Sequence, residues 1–252
     1  MASVLRMALF ALTVVCLGAL GVRAAQAQGD EAGTPPSKAE IETVVRELLM
    51  REPELIVQAV QELQRRQAAQ AAEHQKSVIA ARSDELLHDP AAPVAGNPDG
   101  DVTMVEFMDF QCGYCRRMVP TIQALIADDP DLRVVFKELP VLGPESVEAA
   151  KAALASARQG KYLDYHLALM ASEDLSAEGL RTQAEAVGLN VDRLFEDMKS
   201  PEIAAAIDAN LALANELGVE GTPALVIGDA FVPGAVDGDQ LRSLIARARG
   251  KG

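Results

Sequence analysis

A strand, a helix and a second strand follow one another between residues 102 and 137, and this order constrains the fold more than any other feature of the sequence. Residues 102–110 (VTMVEFMDF) are rich in side chains that favour β-strands. A helical pattern then runs to about Asp128, and residues 132–137 (LRVVFK) have the composition of a second strand. Two strands joined by a helix pack in parallel, so the sequence predicts an α/β fold.

The chain after this unit reads as a set of helices followed by two more strands. Residues 143–217 carry Ala and Leu at helical spacing, with breaks near Gly160, Ser172, Gly188 and position 200. Strands are predicted over 224–227 and 230–232, and a last amphipathic helix follows them. Residues 93–95 suit a short edge strand before a turn. The pattern predicts one sheet whose second and third main strands are separated by a long helical insertion.

The first 27 residues have the form of a secretory signal. Arg6 lies near the positive start, residues 7–22 are uncharged and apolar, and Ala25-Gln26-Ala27 is a small-x-small cleavage site. An uncleaved membrane anchor is the alternative, but a run of about 16 apolar residues is short of the roughly 20 that span a bilayer. We therefore predict an exported, periplasmic protein that is cleaved near Ala27.

Charge excludes one large class of partner. The 252-residue chain has 23 basic and 37 acidic residues, for a net charge of -14. Loss of the signal removes two of the basic residues and makes the mature chain more acidic still. Proteins that bind nucleic acid without sequence preference carry a basic surface, so we predict no nucleic-acid partner. Apolar residues make up 49% of the chain, which is too many for wholesale disorder.

Residues 28–88 pose a packing problem for a monomer. Ser37 to Glu40 form a capping box, and two short apolar stripes follow at helical spacing on either side of Pro53. Residues 64–77 contain no large apolar side chain and read as a solvated helix or a helical linker. Two such helices bury too little to fold alone. The stripes either dock on the chain's own main domain or associate with other copies, and we favour association.

Two cysteines, Cys112 and Cys115, remain once Cys16 leaves with the signal. A disulfide across two intervening residues stabilises little, so a chemical role explains the C-x-x-C spacing better than a structural one. Cys112 falls near the start of a helix, where unpaired N–H groups and the helix dipole favour a thiolate. Cysteines in such positions have pKa values lowered from about 8.5 to about 3.5–7.5. We predict Cys112 as the nucleophile and Cys115 as the resolving thiol.

Metal binding is the other chemistry open to a C-x-x-C pair. A zinc site needs four ligands, but the mature chain has no further Cys, and His74, His88 and His166 lie far apart in sequence. We therefore predict no metal site and no cofactor. The two reduced thiols are soft ligands for Cu(I), so a copper-handling protein remains an alternative from another class.

Two segments together resemble a known family. Residues 107–115 (FMDFQCGYC) follow a strand, and Gly221-Thr222-Pro223 precede a later one. From Asp89 onward the chain resembles the thioredoxin fold in its DsbA-type form, with a helical insertion at about 143–217. The preceding helices resemble the oligomerising extension of suppressor-of-copper-sensitivity C proteins. This resemblance implies a thioredoxin-like α/β fold after an N-terminal α-helical extension, with a signal at 1–27, an oligomerisation region at 28–88 and the main domain at 89–252.

The resemblance also assigns roles to residues. It implies a redox pair, a dipeptide that tunes the potential of that pair, and a cis-proline with the residue before it facing the pair. It further implies a buried acid that assists proton transfer and a partner for that acid, although both can equally be ordinary charges at strand ends. The redox pair is Cys112 and Cys115, and the dipeptide between them is Gly113 and Tyr114. The cis-proline is Pro223, with Thr222 before it. The buried acid is Glu106, and its partner is Lys137.

The function implied is thiol–disulfide exchange on exported proteins that contain cysteines. Association through the N-terminal helices and Thr222 before the proline favour a disulfide isomerase or reductase. A monomeric dithiol oxidase is the alternative within the same chemistry. The resemblance also implies a membrane redox partner and a homo-oligomer.

Overall fold

The structure is a computed structural model, and it describes residues 35–250. The predicted signal lies outside the described residues. The described chain divides into two compact units, residues 35–56 and residues 57–250.

The N-terminal part of the chain is helical. Helix α1 spans Lys38–Arg51 and begins with the predicted capping box, in which the Glu40 amide bonds the Ser37 hydroxyl and the Ser37 amide bonds the Glu40 carboxylate. Helix α2 spans Glu54–Ala81 without interruption, so the predicted solvated stretch at 64–77 is part of one helix with most of its side chains exposed. Helix α3 spans Ser83–Leu87.

A five-stranded sheet with a long helical insertion forms the rest of the chain. Its strands and helices are β1 (Val94–Gly96), β2 (Val102–Met108), α4 (Gly113–Asp128), β3 (Leu132–Glu138), α5 (Pro144–Ala157), α6 (Tyr162–Ala171), α7 (Ala177–Ala186), α8 (Val191–Asp197), α9 (Pro201–Leu217), β4 (Ala224–Ile227), β5 (Ala230–Pro233) and α10 (Gly238–Arg249). The breaks between the inserted helices lie at the predicted positions, and Gly218 ends α9 in the left-handed conformation.

Strand order in the sheet is β1-β3-β2-β4-β5. Strands β2 and β3 run parallel, as the strand–helix–strand pattern predicts, and β4 runs antiparallel to β2. The antiparallel register pairs Phe107 with Ala224, which brings the residues just before β4 close to the carboxyl end of β2.

Side chains alternate between the two faces of the sheet, and each face has its own core. Met104 and Met108 of β2 belong to the large core that contains Cys112, Cys115 and the inserted helices. Val105 and Phe107 belong to a second core. That core also takes in residues from the end of α2, from α3 and from the end of α9; these are Val78, Ile79, Leu86, Leu213, Ala214 and Leu217.

Candidate active site

Cys112 is the N-cap residue of α4. Strand β2 ends at Met108, and a short loop turns the chain so that Cys112 has extended backbone angles while the next residue begins the helix. The Cys115 amide donates a hydrogen bond to the Cys112 sulfur over 3.3 Å. A sulfur in this place receives an otherwise unpaired helical N–H and the positive end of the helix dipole, which stabilises negative charge on it.

The loop before β4 lies against the same sulfur. The Thr222–Pro223 peptide bond is cis, as the resemblance implied. The Cys112 thiol donates to the Thr222 carbonyl oxygen over 3.2 Å. Cys112 and Cys115 are 6% and 0% exposed, so Cys112 is the sulfur nearer the surface. The structure thus brings together the predicted redox pair, Thr222 and Pro223.

The two residues between the cysteines differ in exposure and in contacts. Tyr114 is 61% exposed, and the Arg117 guanidinium carbon lies 4.2 Å from the centre of its ring. A Cβ atom at Gly113 would meet only the end of the Arg117 side chain, at 3.6 Å. The pair therefore presents a flat aromatic surface and an open backbone beside the Cys112 sulfur.

A groove runs past this surface and has a volume of about 750 Å³. One wall comes from α2 through Ala71, His74 and Gln75, and the rest of the lining comes from Tyr114, the loop before β4, and β5. The His74 ring nitrogen lies 3.0 Å from the Glu216 carbonyl oxygen, which ties this part of α2 to α9. Sequence reasoning missed this wall because residues 64–77 carry no apolar stripe.

Glu106 lies on the face of β2 that points toward α4 and is fully buried. Burial raises the pKa of the Glu106 carboxyl to about 8. Burial also raises the pKa of the Cys115 thiol well above its ordinary value, and the negative charge of Glu106 adds to this effect. The charge of Glu106 therefore acts on the protonation of Cys115. The role in proton transfer that the resemblance implies for Glu106 stays a prediction.

The structure does not bring Lys137 to Glu106. In the parallel register Glu106 faces Phe136, and Lys137 pairs with Phe107 on the opposite face of the sheet. There the Lys137 ammonium donates to an Asp89 carboxylate oxygen over 2.5 Å. The predicted partnership is not formed, because one step along a strand moves a side chain to the other face.

Asp109 is a further buried acid at the site, and sequence reasoning did not select it. The two oxygens of its carboxylate accept four hydrogen bonds, which come from the amides of Gln111, Val141 and Leu142 and from the Ser146 hydroxyl. Asp109 thereby fixes the loop that carries Cys112 to the segment after β3. The sequence feature that could have identified Asp109 is its position three residues before the C-x-x-C.

A second polar cluster lies in the core on the α4 side of the sheet. The Tyr162 hydroxyl lies 2.7 Å from a Glu138 carboxylate oxygen and 3.3 Å from the His166 ring nitrogen Nδ1. Tyr162, Tyr165 and His166 are all buried. Glu138 was not selected from the sequence, because a charged residue at a strand end usually faces solvent.

Residues 103–246, more than half of the chain, match the DSBA-like thioredoxin domain. The chain belongs to the DSBA-like thioredoxin domain family. Residues 38–70 separately match the N-terminal domain of the copper resistance protein ScsC. The DSBA-like match spans both cysteines, the helical insertion and the Thr222–Pro223 bond, so the predicted thioredoxin-like fold class is confirmed.

Solved structures agree with this assignment. A thioredoxin-like oxidoreductase from Silicibacter pomeroyi DSS-3 is 48% identical, with a TM-score of 0.65 over 66% of this chain and 97% of its own. BcfH from Salmonella enterica Typhimurium is 30% identical, with a TM-score of 0.72 over 84% of this chain and 96% of its own. The thiol-disulfide exchange protein alpha-DsbA2 from Wolbachia pipientis is 32% identical, with a TM-score of 0.66 over 70% and 96%. The DSBA-like domain is thus of the thiol–disulfide oxidoreductase type.

Curated relatives match part of this chain within longer proteins. A Na(+)/H(+) antiporter NhaA 3 from Salinispora tropica is 34% identical over 137 residues, which are 53% of this chain and 21% of the antiporter. The chain thus spans about a fifth of that relative's length. Within residues 35–250, no helix combines the length and the apolar character that a membrane span requires.

Side chains that could bind a metal ion do not gather into a larger cluster in the described part of the chain. Residues 35–250 contain no cluster of three or more His, Cys, Asp or Glu side chains that could hold a metal ion. Two thiols, the Cys115 amide and the Thr222 carbonyl are the groups that meet at Cys112, and such groups can perform thiol–disulfide exchange.

Proposed function

We propose that this protein is an exported thiol–disulfide oxidoreductase that acts on cysteine-containing proteins, and that it works as a disulfide isomerase or reductase. The observation that carries the exchange chemistry is the Cys112 sulfur at the start of α4, which contacts both the Cys115 amide and the Thr222 carbonyl. The sulfur thus lies where a helix stabilises a thiolate and where the backbone before Pro223 is open to a client.

The exchange takes place in two steps. The Cys112 thiolate attacks one sulfur of a client disulfide, forms a mixed disulfide and releases the other client sulfur as a thiolate, which takes a proton from water. Cys115 then loses its proton and attacks the Cys112 sulfur. This step forms the Cys112–Cys115 disulfide and releases the second client thiol. The client gains two electrons and the redox pair loses them, so a membrane redox partner must reduce the pair again.

The groove beside Tyr114 suits an extended client segment. It begins at the Thr222 backbone and continues along β5, which is the edge strand of the sheet. An exposed edge offers unpaired backbone groups that an extended peptide can bond. The exchange chemistry therefore has a neighbouring surface that binds main chain and tolerates many client sequences.

Exposed apolar side chains on the N-terminal helices support the isomerase or reductase direction. On α1 these are Ile41, Val44, Val45 and Met50, and on the first half of α2 they are Leu55, Ile56, Val57, Val60 and Leu63. Surfaces of this kind mark interaction sites, and we propose that they join copies of this chain. Several redox pairs around one client favour isomerisation over simple oxidation.

The test is refolding of scrambled ribonuclease by the full mature chain and by Val44→Glu. Val44 is 62% exposed within the apolar stripe of α1, and a carboxylate there opposes burial between copies. We expect Val44→Glu to shift the mass in solution to that of a monomer and to reduce isomerisation severalfold, while reduction of a small disulfide is retained. Thr43→Glu adds the same charge next to Val44 but outside the stripe of Ile41, Val44 and Val45, and it is the matched control.

Two results would contradict this proposal. An unmodified chain that is a monomer and oxidises dithiols without isomerising would make it a dithiol oxidase. A reduced chain that binds Cu(I) tightly at one ion per protein, without isomerase activity, would favour copper handling. The match of residues 38–70 to the N-terminal domain of a copper resistance protein is the observation that makes this second measurement worthwhile.

A further inference from the structure

Glu138, Tyr162 and His166 form a hydrogen-bonded chain inside the core, and one end of it is incomplete. Glu138 is fully buried, and its Oε1 atom accepts the hydrogen bond from Tyr162. Its Oε2 atom is buried and has no hydrogen-bond partner among residues 35–250. A buried carboxyl with one unpartnered oxygen lowers the stability of the fold, so we expect this carboxyl to have a function.

This chain lies on the same side of the sheet as Glu106. Glu106 is in register with Phe136, and Met108 is in register with Glu138, so Glu106 and Glu138 point to one face. Glu106 and His166 both line a small cavity of about 20 Å³. A space of this size has room for a single water molecule, which two polar groups can share.

The directions of the hydrogen bonds follow from the chemistry of the groups. An ionised Glu138 carboxylate can only accept, so Tyr162 donates its hydroxyl proton to it. The Tyr162 oxygen then accepts from His166, whose Nδ1 atom must carry the proton. The other ring nitrogen, Nε2, is left as an acceptor on a ring that lines the cavity shared with Glu106.

We propose that His166, Tyr162 and Glu138 are a proton relay for the resolving thiol, with Glu106 as the group that exchanges the proton with Cys115. Glu106 passes its proton to Nε2 of His166 across the cavity, Nδ1 passes one to Tyr162, and Tyr162 passes one to Glu138. The Glu106 carboxylate then takes the proton of the Cys115 thiol as that sulfur attacks the mixed disulfide. The chain holds the same number of protons before and after the step, since the former Glu106 proton is now on Glu138 and the Cys115 proton is on Glu106. The client sulfur leaves as a thiolate and takes a proton from water.

The protonation states of the groups suit this order. Burial raises the pKa of Glu106 to about 8, so at neutral pH it is mostly protonated and must give up its proton before it can accept another. Burial raises the pKa of Glu138 to about 7, although the hydrogen bond from Tyr162 acts to lower it. Near neutral pH Glu138 is therefore present both as the carboxylate and as the protonated acid. Burial lowers the pKa of His166 to about 4, which keeps the ring neutral.

Other charged groups act on the relay from the elements around it. The charge of Lys137 on the far face of the sheet favours ionisation of Glu138, and Asp89 opposes it. The charge of Glu106 acts on both Tyr162 and Cys115. The Asn210 amide of α9 donates to the Glu138 backbone carbonyl and leaves the carboxyl unchanged.

The experiment follows release of a peptide thiol from a preformed mixed disulfide on Cys112 in the full mature chain. The variants are Glu138→Gln, which keeps a hydrogen-bonding oxygen but cannot hold the proton, and Tyr162→Phe, which breaks the relay. Tyr165→Phe is the matched control, because it removes a buried hydroxyl from the same helix whose bond goes to the Leu180 carbonyl instead. The relay rests on exchange by Cys112 and Cys115 and does not depend on the proposed isomerase direction.

We expect both relay variants to slow release at neutral pH by about tenfold, which is less than the loss of a direct general base costs. Release by the unmodified chain should rise with pH from about 7, and in Glu138→Gln the rise should move toward about 8, where Glu106 ionises by itself. Tyr165→Phe should match the unmodified chain in rate and pH profile.

Two outcomes overturn the relay. In the first, Tyr162→Phe and Tyr165→Phe change release equally, which is what loss of packing alone would give. In the second, Glu138→Gln keeps the pH profile of the unmodified chain. Absence of any mixed disulfide on Cys112 in the unmodified chain would instead overturn the exchange activity, and the relay with it. If Glu138→Gln does not fold, the comparison of Tyr162→Phe with Tyr165→Phe decides between a proton relay and a purely structural role.

Discussion

Three buried carboxyl groups near the redox pair differ in how the fold satisfies them. Asp109 accepts four hydrogen bonds, Glu138 accepts one, and no described side chain donates to Glu106. A carboxylate that accepts several hydrogen bonds is stabilised as the anion, whereas burial without donors favours the neutral acid. Asp109 therefore has a positioning role for the loop before Cys112, while Glu106 and Glu138 can exchange protons near neutral pH.

Stability should fall as pH rises through the range in which Glu106 ionises. Its pKa is raised from 4.5 to about 8 on folding, so above pH 4.5 the unfolded chain loses this proton while the folded chain keeps it until about pH 8. The stabilisation is present at low pH and is lost as pH rises, by about 1 kcal/mol between pH 7 and 8. His166 does not contribute in this window, because its lowered pKa acts only below 6.5.

Urea unfolding of the unmodified chain and Glu106→Gln at pH 7 and at pH 8 measures this effect. A glutamine cannot ionise, so the variant should lose less stability across the interval than the unmodified chain. Equal losses in the two proteins would mean that other groups cause the pH dependence and that the Glu106 carboxyl is not held neutral in the fold.

At the scale of elements, the end of α2 and helix α3 belong with the sheet. Val78, Ile79 and Leu86 are buried against β2, β3 and the end of α9. An ion pair between Arg82 and Glu216 joins the same two regions, with 2.5 Å between Nη1 and Oε2. These residues fall within the predicted oligomerisation region at 28–88, so the end of that region is part of the core on this face of the sheet.

Leu86→Ala should destabilise the fold by about 2–5 kcal/mol, which is the cost of removing a fully buried leucine from a core. Leu142→Ala removes the same atoms from an exposed side chain and should cost less than about 1 kcal/mol. Thermal unfolding of both variants makes the comparison. Equal effects would show that α3 does not pack against the sheet as the structure has it.

At the scale of the whole molecule, like charge and apolar surface act against each other. The chain carries a net charge of -14, so copies of it repel one another. The proposed association must therefore come from the apolar side chains of α1 and the first half of α2. Salt screens the repulsion between acidic copies, but it does not weaken the burial of apolar surface.

Added salt should therefore tighten the proposed assembly. Sedimentation of the mature chain at low and at high sodium chloride concentration measures the balance between monomer and oligomer. We expect a larger share of oligomer in high salt for the unmodified chain, and a monomer in both conditions for Val44→Glu. Dissociation by salt would assign the contact to ion pairs and would contradict the apolar interface.

The sequence was sufficient for features that depend on local periodicity and on turn chemistry. The capping box at Ser37, the parallel strand pair and the helix breaks were all predicted and are present. The place of Cys112 at the head of α4 was also predictable, because it needs only a strand, a short loop and a helix. These features are encoded within stretches of a few residues to a few turns.

Tertiary structure alone decided which groups meet. Lys137 is one residue from the position that faces Glu106, and only the register of β2 with β3 shows that it lies on the other face. The donors to Asp109 come from residues up to 37 positions away, and the Glu138 chain joins β3 to α6. Periodicity fixes where each element begins and ends, whereas the partner of a buried charge depends on how distant elements pack, and that information is spread over the whole core.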